Sequence, residues 1–180
     1  TKEINLIDLV GGYAAFASEG KKITPYLIEK IEDINGKVLY THKSTDEIVL
    51  NKSLTFILSE LLSNTYDSNL IDYYYPSCIG IAPKLTKKYA VKSGTTDTDI
   101  LTIGYNKDVI VGVWNGYDNN KYLEKNEYMY AKNIWADTIE QYLKDKNDSW
   151  YDIPENVVGV LVDPISGKLV SESSKKKKIL

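Results

Sequence analysis

The chain has 180 residues, of which 43% are hydrophobic and 26% charged, and its formal net charge is −3. This composition excludes a disordered tail and suits one domain or part of one. No apolar run approaches the roughly 18 residues of a membrane span, the mild acidity argues against a nucleic-acid partner, and one Cys with one His excludes a disulfide framework or a Cys/His zinc site.

The first part of the chain predicts a helix, a hairpin and a second helix. Residues 3–18 are apolar nearly all round, as in a buried helix, and Gly20 is placed to end it. Asn35-Gly36 lies between two β-prone runs and is a strong hairpin signal, because both turn positions need φ > 0. An amphipathic helix is predicted over 53–65 from apolar residues at helical spacing, namely Leu54, Ile57, Leu58, Leu61 and Leu62.

The second part begins with an irregular connection over 66–87 and then predicts strands over 89–93, 99–105 and 109–114. The last strand is apolar at every position, which is typical of a central strand covered on both faces. A helix is predicted over 127–144 and a final hairpin with its turn at 163–167. The residues from Ser171 onward predict a solvated tail. This order of elements indicates an α+β fold with an antiparallel sheet flanked by helices.

Polar residues close the first of the three strands, at Lys92-Ser93-Gly94-Thr95-Thr96. Gly94 would let a bound peptide backbone lie close to the strand, and the backbone N–H of Thr95 is placed to stabilise an oxyanion. Alternation puts Lys92 and Gly94 on one face and Ser93 and Thr95 on the other; a twist or bulge at the glycine would turn these groups toward a common anion. Taken alone, the segment also fits an ordinary strand end with a solvated lysine.

All 22 basic residues are Lys, because the sequence contains no Arg. Any carboxylate recognised by this chain must therefore be held by Lys, hydroxyl groups and backbone N–H groups rather than by a guanidinium fork.

The motif and its surroundings resemble class A penicillin-binding proteins. Lys-[Ser/Thr]-Gly-Thr is the third signature of penicillin-binding transpeptidases and serine β-lactamases. The following strands, Asp99-Ile-Leu-Thr-Ile-Gly-Tyr105 and Val111-Gly-Val-Trp-Asn-Gly-Tyr-Asp118, are similar to those of the family. So are Gly12-Tyr-Ala-Ala-Phe-Ala17 in the first helix and Val160-Leu-Val-Asp-Pro-Ile-Ser-Gly167 near the end. The resemblance runs along nearly the whole chain in order.

The resemblance implies that residues 1–148 are the C-terminal part of a transpeptidase domain and that 149–180 are a C-terminal hairpin extension with a polar tail. The implied fold is that of serine β-lactamases and penicillin-binding transpeptidases. The implied reaction is serine acyl transfer between D-Ala-D-Ala stem peptides of peptidoglycan, with β-lactam antibiotics as covalent inhibitors. The implied location of the protein is the outer face of the bacterial cytoplasmic membrane. No metal or organic cofactor is implied.

The resemblance also assigns roles to the motif residues. Lys92 supplies positive potential, and Thr95 donates its N–H to the oxyanion, so these two are the implied catalytic residues. Ser93 and Thr95 hold the substrate carboxylate through their hydroxyl groups, Gly94 gives clearance, and Thr96 completes the substrate-binding set.

Two further family signatures, Ser-x-x-Lys with the nucleophile and Ser-x-Asn, are expected outside this chain. Ser18-Glu-Gly-Lys21 matches the first by letter. We interpret this match as accidental, because it falls at the end of a helix, whereas the nucleophile should open a buried one. The rest of the domain, carrying both signatures, is therefore an implied partner of this chain.

The family pattern is not matched everywhere. Val91 replaces the usual Gly before the lysine, Ile100 and Leu101 replace an aromatic pair, and the 66–87 connection differs, which puts substrate preference in doubt. Two other functions remain open: a β-lactamase or D,D-carboxypeptidase of the same superfamily, and a non-catalytic wall-binding or scaffold module.

Other candidate residues are better explained structurally. His42 has no partner residues for a metal site and is interpreted as a surface histidine. Asp97 and Asp99, near Lys92, are expected to cap a turn rather than to act as an acid/base pair. The run Tyr73-Tyr74-Tyr75 is expected to pack on the core.

Overall fold

The computed structural model of the chain describes residues 4–44, 47–163, 166–170 and 178–179. Its regular elements, in chain order, are α1 (Leu6–Ala17), β1 (Lys30–Glu32), β2 (Val38–Thr41), α2 (Lys52–Ser63), β3 (Ala90–Thr95), β4 (Asp99–Tyr105), β5 (Ile110–Gly116), α3 (Tyr130–Leu143), β6 (Leu161–Val162) and β7 (Lys178–Ile179). Among the described residues, no helix combines the length and the apolar character that crossing a bilayer requires.

The first helix ends where the sequence predicts. Gly20 has φ of +100°, and its N–H donates to the carbonyl oxygen of Ala15 at 2.8 Å. A Cβ on Gly20 would lie 2.1 Å from the carbonyl oxygen of Leu50, so a side chain cannot be accommodated there. The predicted start at residue 3 lies outside the described part of the chain, and the helix begins at Leu6, after Ile4 and the N-cap Asn5, rather than earlier as predicted.

The predicted hairpin around Asn35-Gly36 is confirmed: β1 and β2 pair in antiparallel fashion, with Lys30 opposite Thr41. Gly36 has φ of +80°, but Asn35 does not have positive φ, so the expectation for that position is wrong. The N–H of Gly36 donates to the carbonyl oxygen of Asp33 at 3.0 Å, which makes Ile34 and Asn35 the central residues of the turn. The carboxylate of Asp33 accepts the N–H groups of Asn35 and Lys37, both at 2.9 Å, which closes the turn.

The three predicted strands form one antiparallel sheet in the order β3-β4-β5. Helices cover its two faces, and glycines let them approach. A Cβ on Gly104 would lie 2.5 Å from the ring of Trp135 in α3, and one on Gly112 would lie 2.5 Å from Val10 in α1. Val111 and Val113 of β5 also pack on the core cluster around Trp135, so this last strand is covered on both faces, as predicted. Within the described residues β5 pairs with β4 alone, so its predicted central position is not confirmed.

The core consists of side chains packed on these two faces. On the α3 face, the fully buried Trp135 lies against Val91. On the opposite face, Ala90 and Tyr105 pack with Phe56 of α2 and with Tyr151 from the C-terminal part of the chain. Helices around an antiparallel sheet confirm the predicted α+β class.

The second helix, α2, buries only part of its predicted apolar stripe: Leu58 and Leu62 are half-buried, and Leu62 packs on the core. Thr55, Phe56 and Ser59 point inward, whereas Leu54 is 66% exposed and Leu61 50% exposed. Asn51 is the N-cap of this helix, and its side chain accepts the N–H groups of Ser53 and Leu54 in the first turn.

Helices α1 and α3 also differ from a simple periodic expectation. In α1, Ala14 and Ala15 are buried but Ile7 is 48% exposed, so this helix is covered on one side only. In α3, Trp135 is buried as predicted, whereas Ile134 of the predicted stripe is 49% exposed.

The connection over 66–87 contains short 3₁₀ turns rather than continuous irregular chain, at Asn64–Tyr66, Ser68–Leu70 and Ile79–Lys84. Tyr74 and Tyr75 are 76% and 70% exposed, so the expectation that this tyrosine run packs on the core is wrong.

At the C-terminal end, β6 forms a bridge from Val162 to Leu169, as the hairpin prediction requires, and also pairs with β7. Because Lys178 lies in β7, the predicted solvated tail does not extend to that residue; Ser171 to Lys177 lie outside the described residues.

Candidate functional site

The outer end of β3 carries the polar residues singled out from the sequence. The strand is held at its other end by Tyr89, whose buried hydroxyl donates to Glu140 of α3 at 2.7 Å. Burial raises the pKa of Tyr89, and the neighbouring carboxylate of Glu140 raises it further, so the hydroxyl stays protonated as a donor. One end of β3 is therefore fixed to the helix layer, and the polar end projects from it.

The side chains at this end lie on two faces of the strand. Lys92 and Gly94 share the face on which α1 packs, and Ser93 and Thr95 share the other. Ser93 is only 8% exposed, whereas Lys92 and Thr95 are exposed. The ladder between β3 and β4 is regular from Ala90 to Thr95, so no bulge at Gly94 turns the two faces together.

The backbone of β3 presents its polar groups alternately to β4 and to the free edge. The N–H of Thr96 donates to Asp99 at 2.9 Å, which marks these residues as a hydrogen-bonded pair. In antiparallel pairing, hydrogen-bonded and non-hydrogen-bonded pairs alternate. The N–H and C=O groups of Ser93 and Thr95 therefore point away from β4, toward the open edge.

A cation lies at this edge. The ammonium group of Lys92 donates to the outward carbonyl oxygen of Ser93. The side chain of Lys92 lies on one face of the strand and those of Ser93 and Thr95 lie on the other, but all three border the same free edge of β3. An extended ligand lying along that edge thus has the ammonium of Lys92 on one side and the hydroxyls of Ser93 and Thr95 on the other, with the N–H of Thr95 in its plane.

Thr96 belongs to the β3–β4 turn rather than to the free edge. Its hydroxyl accepts the N–H groups of Thr98 at 3.2 Å and Asp99 at 2.9 Å. Asp99 in turn accepts hydrogen bonds from Thr98 and from the indole of Trp114, at 2.5 and 2.9 Å. These bonds, with Thr98 the largest contributor, hold the pKa of Asp99 below its ordinary value. The carboxylate thus caps the turn, as the sequence indicates.

The remaining candidates from the sequence lie elsewhere. The hydroxyl of Ser18 is within 2.7 and 2.6 Å of the carbonyl oxygens of Ala14 and Lys21, at the C-terminal end of α1, which agrees with the interpretation of this match as accidental. His42 stacks on Tyr26 in the hairpin region, with ring centroids 3.8 Å apart.

Two residues beside β3 have no signal in the sequence. Thr65 and Tyr66, just after α2, hydrogen-bond to the inner part of the free edge, at Val91 and Tyr89. They lie 23 to 26 residues before their partners, and no motif or periodicity links the two segments.

Comparisons with known proteins agree with this fold. No protein-family model matches the sequence. Penicillin-binding protein 2D of Bacillus subtilis is 38% identical over 168 residues, which cover 93% of this chain and 24% of that protein. Penicillin-binding protein 1A of Aquifex aeolicus is 28% identical over 177 residues, which cover 96% and 23% respectively. The chain thus spans about a quarter of the length of the curated relatives it matches.

Solved structures extend the likeness to the fold. The crystal structure of penicillin-binding protein 1A from Haemophilus influenzae matches with a TM-score of 0.83 at 21% identity, over 98% of this chain and 32% of that chain. The penicillin-binding protein PonA1 from Mycobacterium tuberculosis matches with a TM-score of 0.67 at 18% identity, over 93% and 47%. The fold is therefore the α+β fold of the penicillin-binding transpeptidases. Together with the sequence relatives, it confirms the resemblance: the chain corresponds to part of the transpeptidase domain of penicillin-binding proteins.

Proposed function

We propose that this chain supplies the substrate-binding strand of a peptidoglycan D,D-transpeptidase that is covalently acylated by penicillins. The observation that carries the proposal is the open outer edge of β3, where the N–H of Thr95 and the C=O of Ser93 point away from β4 beside the Lys92 ammonium. The relatives named penicillin-binding proteins support the class of enzyme.

In the proposed reaction, a serine outside these 180 residues attacks the carbonyl carbon of the D-Ala-D-Ala peptide bond. The outward N–H of Thr95 donates to the oxygen that becomes negatively charged, and D-Ala leaves. An amine of a neighbouring stem peptide then attacks the acyl-enzyme, which releases the serine and forms the cross-link. One oxyanion donor of this kind contributes roughly 2.7–4 kcal/mol to the transition state.

The remaining groups of the strand bind and orient the substrate. The hydroxyls of Ser93 and Thr95 take the terminal carboxylate, and Lys92 supplies positive charge from the other face, with no arginine in the chain to do so. Gly94 has no side chain and so leaves room for the ligand beside Lys92. Thr96 stabilises the β3–β4 turn. The partners of the site are the stem peptide, β-lactams and the preceding part of the domain with Ser-x-x-Lys and Ser-x-Asn, and the whole protein acts at the outer face of the cytoplasmic membrane.

The test is the intact mass of the complete protein before and after incubation with a penicillin, with acylation rates for Thr95→Val. This variant keeps size and N–H but loses the hydroxyl bound to the carboxylate. Because a hydrogen bond to a charged group is worth about 1.5–3 kcal/mol, acylation should slow by roughly 10- to 150-fold. Thr41→Val, an exposed strand position in β2, is the matched control.

The outcomes separate the candidate functions. A stable stoichiometric adduct supports the transpeptidase. An adduct that is rapidly hydrolysed points to a β-lactamase or D,D-carboxypeptidase. A folded protein with no adduct points to a non-catalytic wall-binding module, and an unchanged rate for Thr95→Val refutes the role of its hydroxyl.

A further inference from the structure

The free edge of β3 is open along only part of its length. At its inner end, the hydroxyl of Tyr66 accepts the N–H of Tyr89 at 3.0 Å and donates to the C=O of the same residue at 3.1 Å. The hydroxyl of Thr65 lies 3.0 Å from the carbonyl oxygen of Val91. These are the outward backbone groups that a neighbouring strand would otherwise engage.

The segment that makes these contacts is fixed in place. It follows directly from α2 through the 3₁₀ turn Asn64–Tyr66. The N–H of Cys78 donates to the carbonyl oxygen of Thr65 at 2.8 Å, and the ring of Tyr66 packs against the core around Tyr89. Burial raises the pKa of Tyr66, so its hydroxyl keeps its proton.

What remains open is short. Beyond Val91, the outward-facing residues of β3 are Ser93, whose carbonyl oxygen accepts from the Lys92 ammonium, and Thr95. The ammonium is carried on a flexible four-carbon side chain that a ligand can displace, whereas Thr65 and Tyr66 are held in a 3₁₀ turn. Two residues advance a strand by about 7 Å, so the open edge accepts a ladder of two pairs. In the proposed reaction, the scissile carbonyl lies at Thr95 and the terminal carboxylate lies on the side of Ser93. The carboxyl end of the substrate is therefore directed at Thr65.

We propose that Thr65 and Tyr66 form an edge stop that limits an added substrate strand to Ser93 and Thr95, so that the site takes peptides with a free carboxyl end directly after the scissile residue pair. This inference rests on the proposed function and deepens it. A peptide that continues beyond the carboxylate would meet backbone groups of β3 that are already hydrogen-bonded and an edge that is already occupied. The edge stop is thus a specificity determinant that does not touch the reacting atoms.

The experiment uses two competitors of penicillin acylation in the complete protein: an N-acetylated peptide ending in D-Ala-D-Ala and the same peptide extended by one glycine. Both keep a terminal carboxylate, and the extended peptide adds one residue beyond the D-Ala-D-Ala pair; the mass of any cleavage product shows which pair occupies the site. In the wild-type protein, the extended peptide should compete at least roughly tenfold more weakly. In Thr65→Ala/Tyr66→Phe, which frees the outward groups of Tyr89 and Val91, we expect that ratio to narrow by roughly three- to tenfold.

Two controls keep the test decisive. Ser63→Ala removes a hydroxyl from the same stretch that bonds only to the carbonyl of Glu60 in its own helix, and it should leave the ratio unchanged. Thr65→Ser keeps the hydroxyl and should behave as wild type. The rate of penicillin acylation itself reports whether each variant is folded. If the double variant does not fold, the nearly isosteric Thr65→Val tests the same narrowing of the competition ratio.

The possible outcomes separate the edge stop from the proposed function. Equal competition by the two peptides in the wild-type protein overturns the edge stop. A ratio of the two competition strengths that is unchanged in the double variant also overturns it. In both cases the protein is still acylated by penicillin, so the proposed function stands. A wild-type protein that is not acylated at all overturns the proposed function and the edge stop together.

Discussion

The sheet contains glycines of two kinds. A Cβ on Gly104 would lie 2.5 Å from Trp135 and 2.9 Å from the carbonyl oxygen of Ala90, so packing requires a glycine there. A Cβ on Gly94 would meet only the Cβ of Leu101, at an ordinary 3.8 Å. The fold therefore does not require glycine at position 94, which leaves its proposed role of keeping the face beside Lys92 clear for a ligand.

From this contrast we expect Gly94→Val to separate folding from binding. Its unfolding free energy should stay within about 1 kcal/mol of the wild type, since strand preferences span about that range. Acylation by penicillin should fall by about tenfold or more, an effect of about 1.4 kcal/mol on the barrier, because the branched side chain narrows the ligand's approach. Gly104→Ala, in the same sheet, should instead lower stability by about 1–3 kcal/mol. Urea unfolding and acylation rates measure the two effects, and wild-type acylation of Gly94→Val would contradict the role of this residue.

Asp99 makes the stability of the β3–β4 turn depend on pH. Hydrogen bonds from Thr98 and Trp114 hold its pKa below the ordinary value. Since the pKa is lower in the folded than in the unfolded state, the ionised carboxylate stabilises the fold above the unfolded pKa, near 4, and this stabilisation is lost as pH falls through the folded pKa. Stability of the wild type should therefore decline between about pH 5 and pH 2 more steeply than that of Asp99→Asn. Urea midpoints across this range test the difference, with Asp97→Asn as control; parallel curves for wild type and Asp99→Asn would refute it.

At the scale of elements, local signals were enough to place most helices and strands. The hairpin at Asn35-Gly36 and the helix stop at Gly20 are confirmed, and both glycines have positive φ, but the predicted positive φ at Asn35 is wrong. The buried face of α2 was not predictable in the same way. Its apolar stripe is real, but periodicity cannot tell which side of a helix the sheet will cover, and the side with Thr55 and Ser59 packs inward.

Only the local geometry of the candidate site could be predicted from the sequence. The motif identifies Lys92 to Thr96, and strand alternation assigns their faces, because both are local properties of the sequence. The division of the free edge is not local: it depends on the hydroxyls of Thr65 and Tyr66, which reach β3 only after the chain has folded. A free edge and a capped edge look identical in the sequence of the strand itself.

At the scale of the molecule, the residues after the predicted boundary at 148/149 are packed into the fold. The hydroxyl of Tyr151 donates to the carbonyl oxygen of Ala17, the last residue of α1, at 2.9 Å. Its ring packs with Phe56 and Tyr105, and burial raises its pKa. Trp150 donates to Glu60 of α2 at 2.6 Å. This stretch therefore ties α1, α2 and the sheet together.

We expect Tyr151→Ala to destabilise the whole fold. Removal of a buried aromatic side chain costs about 3–5 kcal/mol, and here it also removes the hydrogen bond to Ala17. Chemical unfolding followed by far-UV circular dichroism measures the change. Tyr122→Ala, at a position 72% exposed, should stay within about 0.5 kcal/mol of the wild type; equal effects of the two substitutions would contradict this role of the C-terminal stretch.

The position of Trp114 gives the site an optical signal of its own. Gly94, Leu101 and Trp114 lie side by side across the three strands on one face, and the indole is 45% exposed. Of the other two tryptophans, Trp135 is fully buried in the core and Trp150 is partly buried beside α2. Trp114 lies two strands from the free edge, so we expect only a ligand that also covers the face over Gly94 and Leu101 to change its emission, while the other two indoles keep their surroundings. The intrinsic fluorescence of the unlabelled protein would then separate a ligand spread over this face from one confined to the edge of β3.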